Sequence, residues 1–171
     1  MPTVTTRPVT DANWQTALAL DIEPDQRDFT PSVAISLVKA YIQPGGLVYD
    51  PVAVYAGATM VGFYSFIYLP SDLRHCYLGG FLIDKTYQGR GYGRAALADF
   101  LTMVQRRYPQ CSDILLSVHP QNERAQKLYT RFGFVKTGDM DDGEEVMRLV
   151  LQQNRQHLPP ADPRQKNPID I

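Results

Sequence analysis

Between strand-like and helix-like stretches the chain reads Ile83-Asp84-Lys85-Thr86-Tyr87-Gln88-Gly89-Arg90-Gly91-Tyr92-Gly93-Arg94, with three glycines in five residues. Glycine at those points lets the backbone turn sharply and lets a ligand come close to the amides. A helix starting near Gly91 aims its unpaired N–H groups and the positive end of its dipole at the same spot, which suits an anion. Arg90 and Arg94 can add charge, so a pyrophosphate is the natural guest. A turn that binds nothing is the plainer reading of the same residues. Two common nucleotide loops do not fit, because Gly-x-Gly-x-x-Gly after a first strand and Gly-Lys-Ser/Thr are both missing.

A second chemical pair follows. Asn122 and Tyr129 are seven residues apart, which sets them two turns apart on one face of a helix. A phenol has a pKa of about 10 and stays protonated at neutral pH, so Tyr129 can serve as a proton donor. The same residues also read as a helix cap (Asn122) and a core aromatic beside Leu128 and Phe132 (Tyr129). Carboxylates gather in two places, Glu23–Asp28 and Asp139–Glu145, and five of the seven residues of the second are acidic. Such clusters attract a polycation, or they are simply a solvated loop and hairpin. Glu144 and Glu145 alternate across a strand start, so only one of them can face a site.

These groups need elements to hold them. Val4–Val9 reads as a strand, and Asp11 as the cap of a short helix over Ala12–Leu20. Pro31-Ser32 opens a helix to about Tyr41, which Pro44-Gly45-Gly46 ends. Asp50–Tyr55 and Met60–Leu69 form a hairpin, and Cys76–Ile83 is a fourth strand in which Gly79-Gly80 marks a bulge or a close approach. Gly91–Tyr108 carries Ala96, Leu97, Phe100, Leu101 and Val104 on one apolar face. A strand at Asp113–Val118, a helix at Asn122–Phe132 ended by Gly133, and a hairpin of Phe134–Thr137 with Glu145–Leu151 complete the order. The expected fold is α/β with mixed α+β character: a mostly antiparallel sheet of about seven strands with about four helices on its faces. Residues 1–151 form one domain, and 152–171 are a polar, Pro-rich tail.

Composition narrows the classes. The chain has 171 residues, 44% apolar and 20% charged, with a net charge of −1, which gives no sign of a nucleic-acid partner. No apolar run of ~18 residues suggests a membrane span, and no signal peptide is visible. Cys76 and Cys111 stand in unrelated contexts and read as free thiols of a cytoplasmic protein. No cluster has metal-ligand spacing, so no metal is expected. The sequence leaves open whether two copies pair as a homodimer.

The pattern Gln-x-x-Gly-x-Gly at Gln88, Gly91 and Gly93 resembles the acetyl-CoA loop of the GNAT N-acetyltransferases. Asn122, Ala125, Leu128, Tyr129, Gly133 and Phe134 resemble that family's Asn-x-x-Ala-x-x-Leu-Tyr-x-x-x-Gly-Phe element. The resemblance spans roughly residues 50 to 150. It implies a sheet splayed between its fourth and fifth strands, with the pantetheine arm of acetyl-CoA between them on the backbone of Phe81, Leu82 and Ile83. It further implies that the amides from Gln88 through Gly89, Arg90, Gly91, Tyr92 and Gly93 to Arg94 hold the pyrophosphate, Asn122 holds the pantetheine, and Tyr129 protonates the leaving thiolate. A lysine-like ammonium costs about 4.6 kcal/mol to present as a neutral amine at pH 7, so a base is needed. Glu144, Glu145, His75, Asp28 and Glu23 are the candidates. No Cys or Ser sits in a triad pattern, which favours direct attack. The stretches Glu23–Phe29, Ser36–Ala40, Phe134–Gly138 and Gly143–Leu149 resemble the bacterial diamine and spermine/spermidine N-acetyltransferases, except that Lys39 stands where they are usually acidic. A polyamine is therefore the expected acceptor, with Glu23, Asp28, Glu144 and Glu145 as its contacts. Another small amine, an aminoglycoside or amino acid, and a CoA sensor without turnover are the other readings.

Overall fold

A computed structural model describes residues 2–151. The expected polar tail therefore lies outside the described residues. The strands are β1 (Thr5–Pro8), β2 (Val48–Ala56), β3 (Thr59–Leu69), β4 (Asp72–Ile83), β5 (Asp113–Val118), β6 (Val135–Asp141) and β7 (Glu144–Val150). The helices are α1 (Trp14–Leu18), α2 (Val33–Ile42), α3 (Tyr92–Arg107) and α4 (Glu123–Arg131). One sheet holds all seven strands in the order β1-β2-β3-β4-β5-β7-β6. Every neighbouring pair is antiparallel except β4–β5. The expected architecture is the observed one.

Strand alternation divides the core between the two faces of the sheet. On one face Ala53, Phe63 and Leu82 pack with Ala17 of α1 and Val33 of α2. On the other, Val54, Val61, Tyr64 and Phe66 pack with Leu97, Phe100 and Val104 of α3 and Tyr129 of α4. Tyr64 is wholly enclosed and meets Phe100 edge-on with ring centres 5.3 Å apart. Cys76 and Cys111, unrelated in sequence, lie in this same core as free thiols.

Several element bounds differ from those read in the sequence, each for a local reason. Asn13, not Asp11, precedes α1, and its side chain turns back to accept from Thr10 N and donate to Pro8 O. β4 begins at Asp72, because Pro70-Ser71 turns the chain and its polar Asp72–His75 start still pairs within the sheet. β6 runs on through its acidic end to Asp141, where Asp142 (φ 47°) and Gly143 (φ 83°) make the tight turn.

The bulge signalled by Gly79-Gly80 is present. Phe63 pairs with Leu82 and Ser65 with Gly79, so Gly80 and Phe81 together face Tyr64. Gly80 has φ +57°, and a Cβ there would come within 2.8 Å of Ser36 Oγ on α2. Both facts require glycine.

Three strands are tied together just below this point. Asp113 of β5 is only 1% exposed, and its carboxylate accepts from Arg148 of β7 at 2.5 Å and lies 2.6 Å from His75 Nδ1 of β4. Hydrogen bonds to a charged group carry more stability than neutral ones, so Asp113→Asn should cost about 1–3 kcal/mol. Urea unfolding checks this: the midpoint should fall at unchanged slope, and an unmoved midpoint would mean the cluster is energetically neutral.

Candidate active site

The β4–β5 ladder is short. It contains His75↔Asp113, Cys76↔Ile114 and Tyr77↔Leu115, yet β4 continues to Ile83 and β5 to Val118. Beyond Tyr77 the two edges part and line a cavity of about 1940 Å³. Phe81, Leu82 and Ile83 line one wall, and Leu116, Ser117 and Val118 the other. A strand edge that has lost its neighbour offers backbone groups to an extended ligand, as an added strand would use them.

The glycine loop closes one end of that cavity. Gly89 and Gly91 have φ +76° and +84°, a region that side chains rarely allow. The first bond of the α3 ladder runs from Ala95 N to Gly91 O at 3.0 Å, so the amides of Tyr92, Gly93 and Arg94 precede it. All three residues line the cavity together with Gly89 and Gly91. Nothing lies within 4 Å of a Cβ placed on Gly89, so this cradle is open. It fits a pyrophosphate, and the parted strands fit a pantetheine arm. The side chain of Arg90 turns elsewhere, its guanidinium 5.8 Å from the Tyr87 ring centre.

Gln88 fastens the loop. Its Nε2 donates to Ile83 O at 2.9 Å and to Gln26 Oε1 at 2.8 Å. Its Oε1 accepts from Gln26 Nε2 at 3.0 Å and Arg124 Nη1 at 2.9 Å. Asp84 adds a second tie by accepting from Asp21 N at 2.9 Å, and Lys85 pairs with Asp21 at 2.7 Å. The segment between α1 and α2, the loop and α4 are thus held in one arrangement. Gln26 and Arg124 carry no motif signal, because only the tertiary fold brings them to Gln88.

Asn122 unites its two sequence readings. Its Oδ1 accepts from Ala125 N at 3.1 Å and caps α4, and the residue also lines the cavity. Tyr129, on the same helix, is 6% exposed, borders the cavity and packs on Phe134 with ring centres 5.8 Å apart. Burial pushes its phenol pKa well above the ordinary value, and the nearby Glu144 carboxylate adds to the rise. Tyr129 therefore stays a proton-bearing donor throughout the physiological range.

The carboxylates separate by position. Glu144 lines the cavity, and its Oε2 accepts from Ser117 Oγ at 2.5 Å. Glu145 faces the other side of β7, opposite buried Val118, with Oε2 2.5 Å from Lys136 Nζ. Asp28 lines the cavity with Asp139, Asp141 and Asp142, whereas Glu23 does not. His75 is held by Asp113 at the closed end of the splay and does not line the cavity. Tyr49 and His119, which no motif singles out, do line it. Burial raises the Tyr49 phenol, and the charge of Asp141, which lines the same cavity, raises it further. His119 accepts from Gln121 N at its Nδ1 at 3.2 Å. Among the described residues, no group of three or more His, Cys, Asp or Glu can hold a metal ion. Among the same residues, no helix is long and apolar enough to cross a membrane.

Known proteins share both the pattern and the shape. The family model described as "Acetyltransferase (GNAT) family" matches residues 13–134. A probable spermine N(1)-acetyltransferase of Bacillus subtilis subsp. natto is 34% identical over 144 residues, covering 81% of this chain and 93% of that protein. The spermine/spermidine N(1)-acetyltransferase of Bacillus subtilis (strain 168) is 33% identical over 144 residues with the same coverage. The solved spermidine N-acetyltransferase of Vibrio cholerae, in complex with CoA and spermine, superposes with a TM-score of 0.65 at 19% identity. That match covers 88% of this chain and 96% of the other, and it concerns the fold. The chain belongs to the GNAT acetyltransferase family and is an acetyl-CoA-dependent N-acetyltransferase.

Proposed function

We propose that the enzyme acetylates a primary amine of a polyamine or diamine by direct attack, with Tyr129 as general acid. The observation that carries this reading is the meeting of carboxylates and Tyr129 in one cavity: Glu144 is near enough to act on the buried phenol, and Asp28, Asp139, Asp141 and Asp142 line the same space. The curated relatives named for spermine and spermidine point the same way. Two free, buried thiols suit a reducing compartment, and we assign the enzyme to the cytoplasm.

Each residue then has a defined task. Bound acetyl-CoA supplies the thioester carbonyl that the amine attacks. Amides at Gly89–Arg94 and the start of α3 hold its phosphates, and the edge at Phe81–Ile83 holds its arm. Glu144, oriented by Ser117, takes the ammonium proton directly or through water, and the freed lone pair forms the new C–N bond. As the C–S bond breaks, Tyr129 gives its hydroxyl proton to the departing sulfur, and the proton still on the new amide nitrogen returns through water to the tyrosine oxygen. Asp28 and the hairpin carboxylates hold the remaining ammonium groups. Glu145, paired with Lys136 on the far face, and Glu23, outside the cavity, take no direct part.

Tyr129→Phe retains the ring that packs on Phe134 and deletes only the hydroxyl. Turnover should fall by roughly 10²–10⁴ while acetyl-CoA affinity is nearly kept. Wild-type turnover in the variant, with chemistry rate-limiting, would assign the proton elsewhere. Ionic strength supplies a second check. Exposed charges are screened over ~8–10 Å at physiological salt, so kcat/KM for spermidine should fall with added salt far more than for a monoamine of similar length. Equal salt responses would argue against a polycationic acceptor.

A further inference from the structure

The acidic end of the cavity contains a cation. Lys39 lines it together with Leu47, Tyr49, Asp139, Asp141 and Asp142. Its place follows from α2. Ser36 lies against the β4 bulge, where its Oγ would be 2.8 Å from a Cβ on Gly80. Lys39 is three residues on, so it projects from the same helix face one turn farther along. α2 packs on β2, which contributes Tyr49 to the wall, and Asp141 lines the same space. Among the described residues Lys39 has no carboxylate within ion-pair distance, the other lining lysine, Lys127, being paired with Glu123. A positive charge standing unpaired beside a trough built for positive charge is not needed to hold the fold.

We propose that Lys39 is a specificity-determining residue that ranks amine acceptors by length and charge. The inference rests on the polyamine reading above. With the reacting nitrogen at Tyr129 and Glu144 and the next ammonium held at Asp141 and Asp142, a short diamine ends before Lys39. A tetraamine carries further ammonium groups into its field. Like charges repel there, and the repulsion grows with each added ammonium. The wild-type enzyme therefore favours the short acceptor relative to what its acidic wall alone would give.

The test is the ratio of kcat/KM for spermine to that for 1,4-diaminobutane at low salt, in wild type, Lys39→Gln, Lys39→Glu and Arg106→Glu. Lys39 is exposed, so these changes leave packing intact. Lys39→Glu should raise the ratio by about 2- to 30-fold, the span expected from removing one exposed repulsion and adding one attraction, and Lys39→Gln by less. Arg106 is exposed on the last turn of α3 and does not line the cavity, so Arg106→Glu, with the same change of net charge, should leave the ratio alone. An unchanged ratio in Lys39→Glu, or an equal shift in Arg106→Glu, overturns the role of Lys39 while leaving polyamine acetylation standing. Wild-type enzyme that turns over neither amine overturns both.

Discussion

β4 and β5 run parallel and touch for only three residue pairs, although each strand continues past the last of them. A sheet that ends its pairing in mid-strand leaves backbone donors and acceptors without partners inside a protein, and such groups need partners from somewhere. Here they line a cavity, so the unfinished ladder leaves them open to whatever enters it. Two features hold the strands in this position. The Gly80 bulge re-aims β4, with Ser36 pressed into the space a side chain would need. Below it, the buried Asp113 carboxylate links β4, β5 and β7 through His75 and Arg148, so the strands part from a fixed point.

The cavity lining carries charge of both signs. At one end lie the glycine turn, the first amides of α3, Arg94 and Arg124, all suited to phosphate. The same cavity carries Asp28, Asp139, Asp141, Asp142 and Glu144, suited to ammonium groups. Tyr129 borders this cavity too, and the burial that raises its pKa keeps it uncharged.

Legibility in the sequence followed locality. The glycine loop, α3, β5 and the Asn122–Tyr129 helix were readable because each is specified by neighbours within a few residues, through turn chemistry or a 3.6-residue period. The Gly79-Gly80 bulge was readable for the same reason. The bounds of short or acidic elements were not: α1 occupies only five residues of the Ala12–Leu20 stretch read as helix, and the acidic end of β6 has the composition of a loop. Within the site, Gln88 was visible as a motif residue, but its bonds to Gln26 and Arg124 span 62 and 36 positions and leave no local trace. His75 and Glu145 show the converse. Residue type made both candidates for the base, and strand register carried His75 to the closed end and Glu145 to the far face. A one-residue difference in register separates Glu144 from Glu145, and only the assembled sheet determines which of them meets the cavity.

The splayed edge can be tested without reference to the acceptor. Hydrogen exchange of single amides, measured with and without saturating acetyl-CoA, should show new protection at Phe81–Ile83 and at Gly89–Arg94. Amides in β1 and β2, which are already paired, should change little. Binding of acetyl-CoA that leaves the Phe81–Ile83 amides exchanging as before would contradict the assignment of the β4–β5 opening as the pantetheine site.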